Sequence, residues 1–284
     1  MDNTNNYKTL TLEISNKIAH VILNRPDVFN SMNLDFWQEF PKVIHAINNE
    51  SAARVIVISS TGKHFCAGMD LAVFTQNSKD ENIELGRKHE QLRRTVLQLQ
   101  ACFSVLEKVR MPVLMAVQGG CIGGAVDMVS AADCRYCTSD AFFSIEETKL
   151  GMTADLGTLQ RLPKLISMGL VKELAYTGRR MPAIEAKEAG LVNNVYDDQE
   201  TMLSAVMEIA ADIAARSPLT VTGCKEMINY AQDHSIADSL NYMSVWQSGM
   251  FQPQNDMMET FKAKAEKRTP EFSELSKINN SSIF

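Results

Sequence analysis

Three carboxylates stand close together in the middle of the chain, Asp127, Glu147 and Asp155, each set among apolar or small residues. A carboxylate taken out of water is costly unless it is paired, hydrogen-bonded or protonated. The trio therefore predicts buried acids, and with them acid–base chemistry. A single Asp in such a setting can instead cap a helix or pair with an arginine, and Asp155, just ahead of Leu-Gly-Thr-Leu-Gln-Arg-Leu, suits a helix start best. Asp127 is harder to read that way, because Gly119, Gly120, Gly123 and Gly124 precede it, between the run at 113–117 and the small, apolar stretch 125–132. That order reads as strand, glycine turn, helix. Glycine lets a backbone approach a ligand closely, and the free N–H groups of a helix start favour a negative oxygen. The turn would suit an anion, a developing oxyanion or tight packing alone.

The elements that must hold these residues alternate. Residues 9–15 and 18–23 predict a hairpin turned at Asn16-Lys17. Residues 33–48 carry a helical period with Asn33 as N-cap and Pro41 as a blemish. The run 55–59 reads as a strand buried on both faces. It leads into a second glycine loop, 61–70, and two such loops at strand ends are where an open α/β sheet builds a site. Residues 71–90 are polar, a loop or short helix. An amphipathic helix follows over 91–109, then the strand 113–117. Residues 141–147 read as a strand, whose alternation would turn Glu146 away from the face of Glu147. Helices are expected at 158–166, where Pro163 opens a turn, at 170–177 and at 183–189 with Gly190 as cap, followed by a strand over 191–196. From about residue 200 the pattern is helical: 200–216, 218–232, 235–250 and 254–266. The reading is one core over 1–200 and a helical region over 201–284.

Composition narrows the function classes. With 284 residues, 45% hydrophobic and 22% charged, the chain is long enough for a sizeable core. The excess of 34 acidic over 28 basic residues gives no general reason to bind nucleic acid. No apolar run reaches the ~18–20 residues of a membrane span. The six cysteines show no disulfide framework, and the Cys134-Arg-Tyr-Cys137 spacing lacks a second pair or clustered histidines, so free thiols in a reducing compartment are expected and no metal. The N-terminus has neither signal-peptide nor transit-peptide character, which makes cytoplasm the default.

Six segments taken together resemble the enoyl-CoA hydratase/isomerase (crotonase) superfamily over nearly the whole chain. They are Asn-Arg-Pro at 24–26 with Asn30, His-Phe-Cys-Ala-Gly-Met-Asp at 64–70, the glycine block 119–124, Ala-Asp-Cys-Arg-Tyr at 132–136, Gly-Thr-Leu-Gln-Arg-Leu-Pro at 157–163 and Ala-Lys-Glu-Ala-Gly-Leu-Val at 186–192. The resemblance implies an α/β fold of β-β-α spiral turns, with a helical C-terminal region used in a homotrimer or dimer of trimers. It also implies an acyl-CoA thioester substrate and no separate cofactor, coenzyme A being part of the substrate. By motif, the N–H groups of Met69 and Gly124 would form the oxyanion hole. Arg25, Ala67, Gly68, Asp70 and Gly123 would line the substrate site, and Lys267 or Arg268 could meet the coenzyme A phosphates.

The acids choose among reactions. Hydratases of the superfamily resemble this chain at Asp127 and Glu147 but carry Glu at the first position, and Gly where this chain has Asp155. Dienoyl-CoA isomerases look like it at all three. Moving two double bonds from the 3,5 to the 2,4 positions takes a proton from C2 and returns one at C6, too far apart for one carboxylate. The resemblance thus implies Glu147 as base at C2, Asp155 as donor at C6 and Asp127 as electrostatic support. Phe142, Phe143 and the stretch around Met152 could keep water out of such a pocket, or simply pack in the core. The other readings are a hydratase using Asp127 and Glu147 on a water, and a crotonase-fold protein that binds acyl-CoA without catalysis.

Overall fold

Asn16 and Lys17 take positive φ (50° and 64°), as in the two-residue turns whose twist matches the strands they join. They close the expected hairpin of β1 (Leu10–Ser15) and β2 (Ile18–Leu23). The computed structural model describes residues 7–73, 83–251 and 253–278. After the hairpin come α1 (Leu34–Asn49), β3 (Val55–Ser60), α2 (Leu85–Lys108), β4 (Val113–Val117), β5 (Gly120–Ile122), α3 (Gly124–Ser130), β6 (Cys134–Thr138) and β7 (Phe142–Ser144). The chain continues through α4 (Thr158–Leu165), α5 (Met168–Thr177), β8 (Met181–Pro182), α6 (Ala183–Glu188), β9 (Asn194–Tyr196) and α7 (Gln199–Ala214), and then α8 (Pro218–Ala231), α9 (Ile236–Met250) and α10 (Met258–Glu266).

Two sheets result. The larger has the order β1-β2-β3-β4-β6-β9 and is parallel beyond the hairpin; the smaller has the order β5-β7-β8. β3 and β4 are buried along their whole length, because helices cover both faces. On one face Phe36 and Phe40 of α1 pack with Phe103 of α2 in the main core. On the other, Met202, Val206 and Ala210 of α7 lie against Val55, Val57, Leu114 and Ala116. Asn33 caps α1 as expected, its side chain accepting the Phe36 N–H at 3.0 Å.

Several expected boundaries move. Helix α2 begins at Leu85, not 91, because its first turns offer only the exposed Leu85 followed by Gly-Arg-Lys-His-Glu-Gln and so show no apolar stripe to read; part of the polar segment before it, residues 74–82, lies outside the described residues. The glycine block is not a bare turn but holds β5, which belongs to the second sheet. Pro163 sits inside α4 and opens nothing. Leu191 and Val192 both donate to the Ala186 carbonyl, so they finish the α6 turn, and the strand shrinks to Asn194–Tyr196.

Beyond α10 the chain runs back along the core. Buried Arg54 donates to the Phe272 carbonyl (2.6 Å), to the Ala214 carbonyl (2.9 Å) and to Glu274 (2.8 and 3.0 Å), and Arg110 donates to the Ser276 carbonyl at 2.9 Å.

Candidate active site

The chain leaves β4 of the large sheet through Gln118 and Gly119 and enters β5 of the small one, then starts α3 at Gly124. This places Asp127 in the first turn of α3, only 1% exposed. One of its oxygens accepts the Thr158 N–H at 2.6 Å. Burial pushes the Asp127 carboxyl up to about 7 against that hydrogen bond, and the charges of Glu147 and Asp155 push in the same direction. The three acids therefore share one field, although the first and last lie 28 positions apart in sequence.

Glu147 is half-buried at the head of a short 3-10 turn, Glu147–Leu150, that follows β7. Its Oε2 is buried and has no hydrogen-bond partner among the described residues, while a Cβ built on Gly123 would come within 3.3 Å of Oε1. Burial raises the Glu147 carboxyl, with Asp155 and Glu146 adding to the effect. A buried carboxylate oxygen left unpaired is a strong acceptor for a substrate proton.

Asp155 departs from the expectation. It is exposed, lies in an extended loop, and does not begin the following helix, whose N-cap is Gly157. Of the three expected buried acids, one is buried, one half-buried and one exposed at the rim. Glu146 departs in its reason. Because β7 ends at Ser144, strand alternation does not orient the pair. Glu146 is instead turned outward by its contacts: burial works against its charge, but hydrogen bonds from Lys149 and Ser144 hold it below the usual carboxylate range.

The two glycine loops meet across this site. The Met32 N–H donates to the Gly68 carbonyl (2.8 Å) and the Asp70 N–H to the Met32 carbonyl (3.0 Å), a parallel bridge that occupies the groups on either side of Met69. A second bridge joins Cys66 to Cys121. Neither the Met69 nor the Gly124 N–H donates to a backbone oxygen among the described residues. They lie close: a Cβ built on Gly124 would be 3.9 Å from the Met69 nitrogen. Gly68 has φ +84°, and a Cβ there would come within 2.6 Å of the Ile122 carbonyl oxygen, so the close approach of the loops requires glycine.

Not every expected binding residue faces a ligand. Arg25 pairs with Asp70 (3.5 Å) and donates to the Ser31 carbonyl, so both members of the pair brace the first loop. The Ala67 N–H is used by the Phe29 carbonyl at 2.9 Å. Arg268 is tied to Glu259 and Glu266 within the tail. Phe143 belongs to the core, Phe142 lies under the Arg180 guanidinium (4.1 Å), and Met152 is exposed in the loop before Asp155. Two residues were missed by sequence reasoning, Thr158 and Gln100, whose amide donates to the Asp155 carbonyl at 2.7 Å. The Gly-Thr pair opening a helix is a signal for the first. A glutamine 55 positions from its partner gives none.

Compared with known proteins, residues 13–275 match the family model described as enoyl-CoA hydratase/isomerase. The chain belongs to the enoyl-CoA hydratase/isomerase family. It is 41% identical over 276 residues to the peroxisomal Δ(3,5)-Δ(2,4)-dienoyl-CoA isomerase of Arabidopsis thaliana, covering 95% of this chain and 98% of that protein. It is 42% identical to the mitochondrial enzyme of that name from Mus musculus, covering 96% and 84%. Among solved structures, an enoyl-CoA hydratase from Bacillus anthracis superposes with a TM-score of 0.82 at 30% identity, covering 96% of this chain and all of that one. The family's crotonase fold, with its helical C-terminal region, is thus the fold of this chain.

Proposed function

We propose that the protein is a Δ(3,5)-Δ(2,4)-dienoyl-CoA isomerase, and the observation that carries this reading is the third carboxylate, Asp155, near enough for its charge to act on Asp127 and Glu147 beside the two glycine loops. The thioester oxygen of a 3,5-dienoyl-CoA sits on the N–H groups of Met69 and Gly124. The Glu147 carboxylate takes a proton from C2, and the electron pair spreads along the dienolate onto that oxygen, where oxyanion donors of this kind contribute ~10²–10³ in rate each. Asp155 gives a proton to C6, and the double bonds settle at the 2 and 4 positions. Asp127 stays beneath, its charge and hydrogen bond fixing the electrostatic setting. The reaction moves protons only, so it needs no redox group or metal.

Each turnover leaves Glu147 protonated and Asp155 ionised, the reverse of the starting state. The pair must trade a proton before the next substrate, and the exposure of Asp155 supplies a route through water. The same reading includes assembly into trimers or dimers of trimers. It is supported by the apolar residues that α8 and α9 leave exposed, Ile228, Ile236, Leu240 and Val245 among them. Light scattering should then give a mass three or six times the 31.6 kDa chain, and a monomer at micromolar concentration would rule the assembly out. Six unbridged cysteines support a reducing compartment such as the cytoplasm.

The deciding experiment pairs two assays, formation of the conjugated 2,4-diene from a 3,5-dienoyl-CoA and loss of the enoyl absorbance of a 2-enoyl-CoA. Fast diene formation with slow hydration is expected. Asp155→Asn should cut isomerisation by ~10²–10⁴ with CoA-ester affinity nearly unchanged. Full activity in that variant would remove Asp155 from the reaction, and fast hydration by the native enzyme would make it a hydratase.

A further inference from the structure

The loop that carries Asp155 has little hydrogen bonding of its own. No backbone N–H of residues 153–157 donates a hydrogen bond among the described residues. Ala154 and Leu156 are both buried, 4% exposed each, which turns the Asp155 side chain to the opposite side. Beside that burial, two carbonyl contacts made from outside hold its peptides. Gln100 Nε2 donates to the Asp155 carbonyl at 2.7 Å, and Arg161 Nη1 to the Leu156 carbonyl at 3.2 Å. Arg161 is itself held by Glu107 (2.8 and 2.7 Å) and the Ser104 hydroxyl (2.9 Å). Its guanidinium lies on Gly157, where a Cβ would be 1.7 Å from Nη1.

Gln100, Ser104 and Glu107 follow one another at helical spacing along a single face of α2. That face is a polar rail on which the Asp155 loop rests. Arg161 holds the loop's end at the helix it leads into, and Gln100 holds the peptide of the acid itself. Glu147 takes no part in these contacts; it is carried by the turn after β7.

We propose that Gln100 is a positioning residue that sets where the Asp155 carboxyl stands relative to the diene, and so governs proton delivery at C6 without governing proton removal at C2. The inference rests on the reading of Asp155 as the C6 donor. A donor displaced by about 1 Å can lose about 10²-fold in rate. When delivery at C6 fails, the dienolate returns the way it came. Glu147 gives a proton back to C2, the C2–H bond re-forms and the 3,5-diene is regenerated. In D2O, once the Glu147 carboxyl has exchanged that proton with solvent, the return leaves deuterium at C2 of unreacted substrate.

The experiment follows both outcomes in one reaction: incubation of a 3,5-dienoyl-CoA in D2O with native enzyme, Gln100→Leu, Gln100→Glu and Asp155→Asn, with NMR of deuterium at C2 of remaining substrate and ultraviolet detection of the conjugated product. Leucine removes the donor, and glutamate sets an acceptor against the carbonyl. Both variants should raise the ratio of C2 exchange to isomerisation tenfold or more, with C2 exchange itself within about threefold of native. Both rates come from the same folded molecules, so partial loss of folded protein cancels in the ratio. If exchange and isomerisation fall together, or neither changes, Gln100 does not position the donor. If Asp155→Asn raises the ratio and the Gln100 variants do not, this inference alone fails. If Asp155→Asn leaves the ratio at the native value, the reading of Asp155 falls and the Gln100 inference goes with it.

Discussion

Asp127 holds its carboxyl near neutrality because almost none of it touches water, and that has a cost in stability. Its ordinary value is 3.8 and its folded value about 7, so the folded chain binds this proton more tightly than the unfolded chain does. The contribution is favourable below the unfolded value and is lost as pH rises through about 7. Asn in its place keeps an acceptor for the Thr158 N–H and carries no charge. Asp127→Asn should therefore be more stable than native at about pH 8 by roughly 1–4 kcal/mol, an advantage that shrinks toward about pH 4; equal gains at both pH values in urea melts would contradict the burial argument. Glu147 yields a kinetic counterpart. It acts as a base only when ionised, and burial raises it. The acid limb of kcat/KM should thus lie above the ordinary carboxylate range of about 4–4.5. At this scale the sequence showed Asp127 through its frame of glycines and small residues. It did not show that Asp155 is exposed, since apolar neighbours on both sides of a residue can be buried while the residue between them points outward.

The elements matter here by where they stop. β7 ends at Ser144, and the 3-10 turn that begins at Glu147, three residues on, sends Glu146 outward to Lys149 and leaves Glu147 at the site. Periodicity could not reveal this, because a three-residue strand followed by a single turn is too short to show a period. Strands and helices with a continuous buried face, β3 and α1 above all, were legible at nearly their true ends. The glycine loops were legible as loops but not in their mutual fit, which depends on the bridges Met32–Met69 and Cys66–Cys121 between distant segments. Gly68 is the narrowest point of that fit. Gly68→Ala should displace one loop from the other, lowering kcat by about 10²-fold or more as an oxyanion donor is misplaced, and lowering stability by about 1–3 kcal/mol for the strained backbone. Single-turnover kinetics beside thermal melts separate the two effects; native kcat in this variant would mean that the loops tolerate the wider spacing.

At the scale of the whole molecule, the site lies where the chain passes from the large sheet into the small one, with α2 reaching over from the outer layer to the Asp155 loop. The alternation of strand and helix made the class of fold legible. The division near residue 200 was drawn where the alternation of strand and helix gives way to helices alone, and the packing of α7 onto β3 and β4 shows why that pattern is a coarse guide, since a helix that closes the main sheet looks in sequence like those that follow it. The return of the last described residues to Arg54 also bears on the order in which the molecule is made. Arg54 stands at the head of the strand β3, in the middle of the large sheet, yet its carbonyl and carboxylate partners lie at Ala214, Phe272 and Glu274. A nascent chain can assemble the hairpin and both glycine loops long before these partners leave the ribosome, and until then the guanidinium must stay hydrated at the edge of a nearly finished core. The head of β3 thus waits on residues 272–274, and protease protection around Arg54 in ribosome-stalled chains should rise further after residue 274 has emerged.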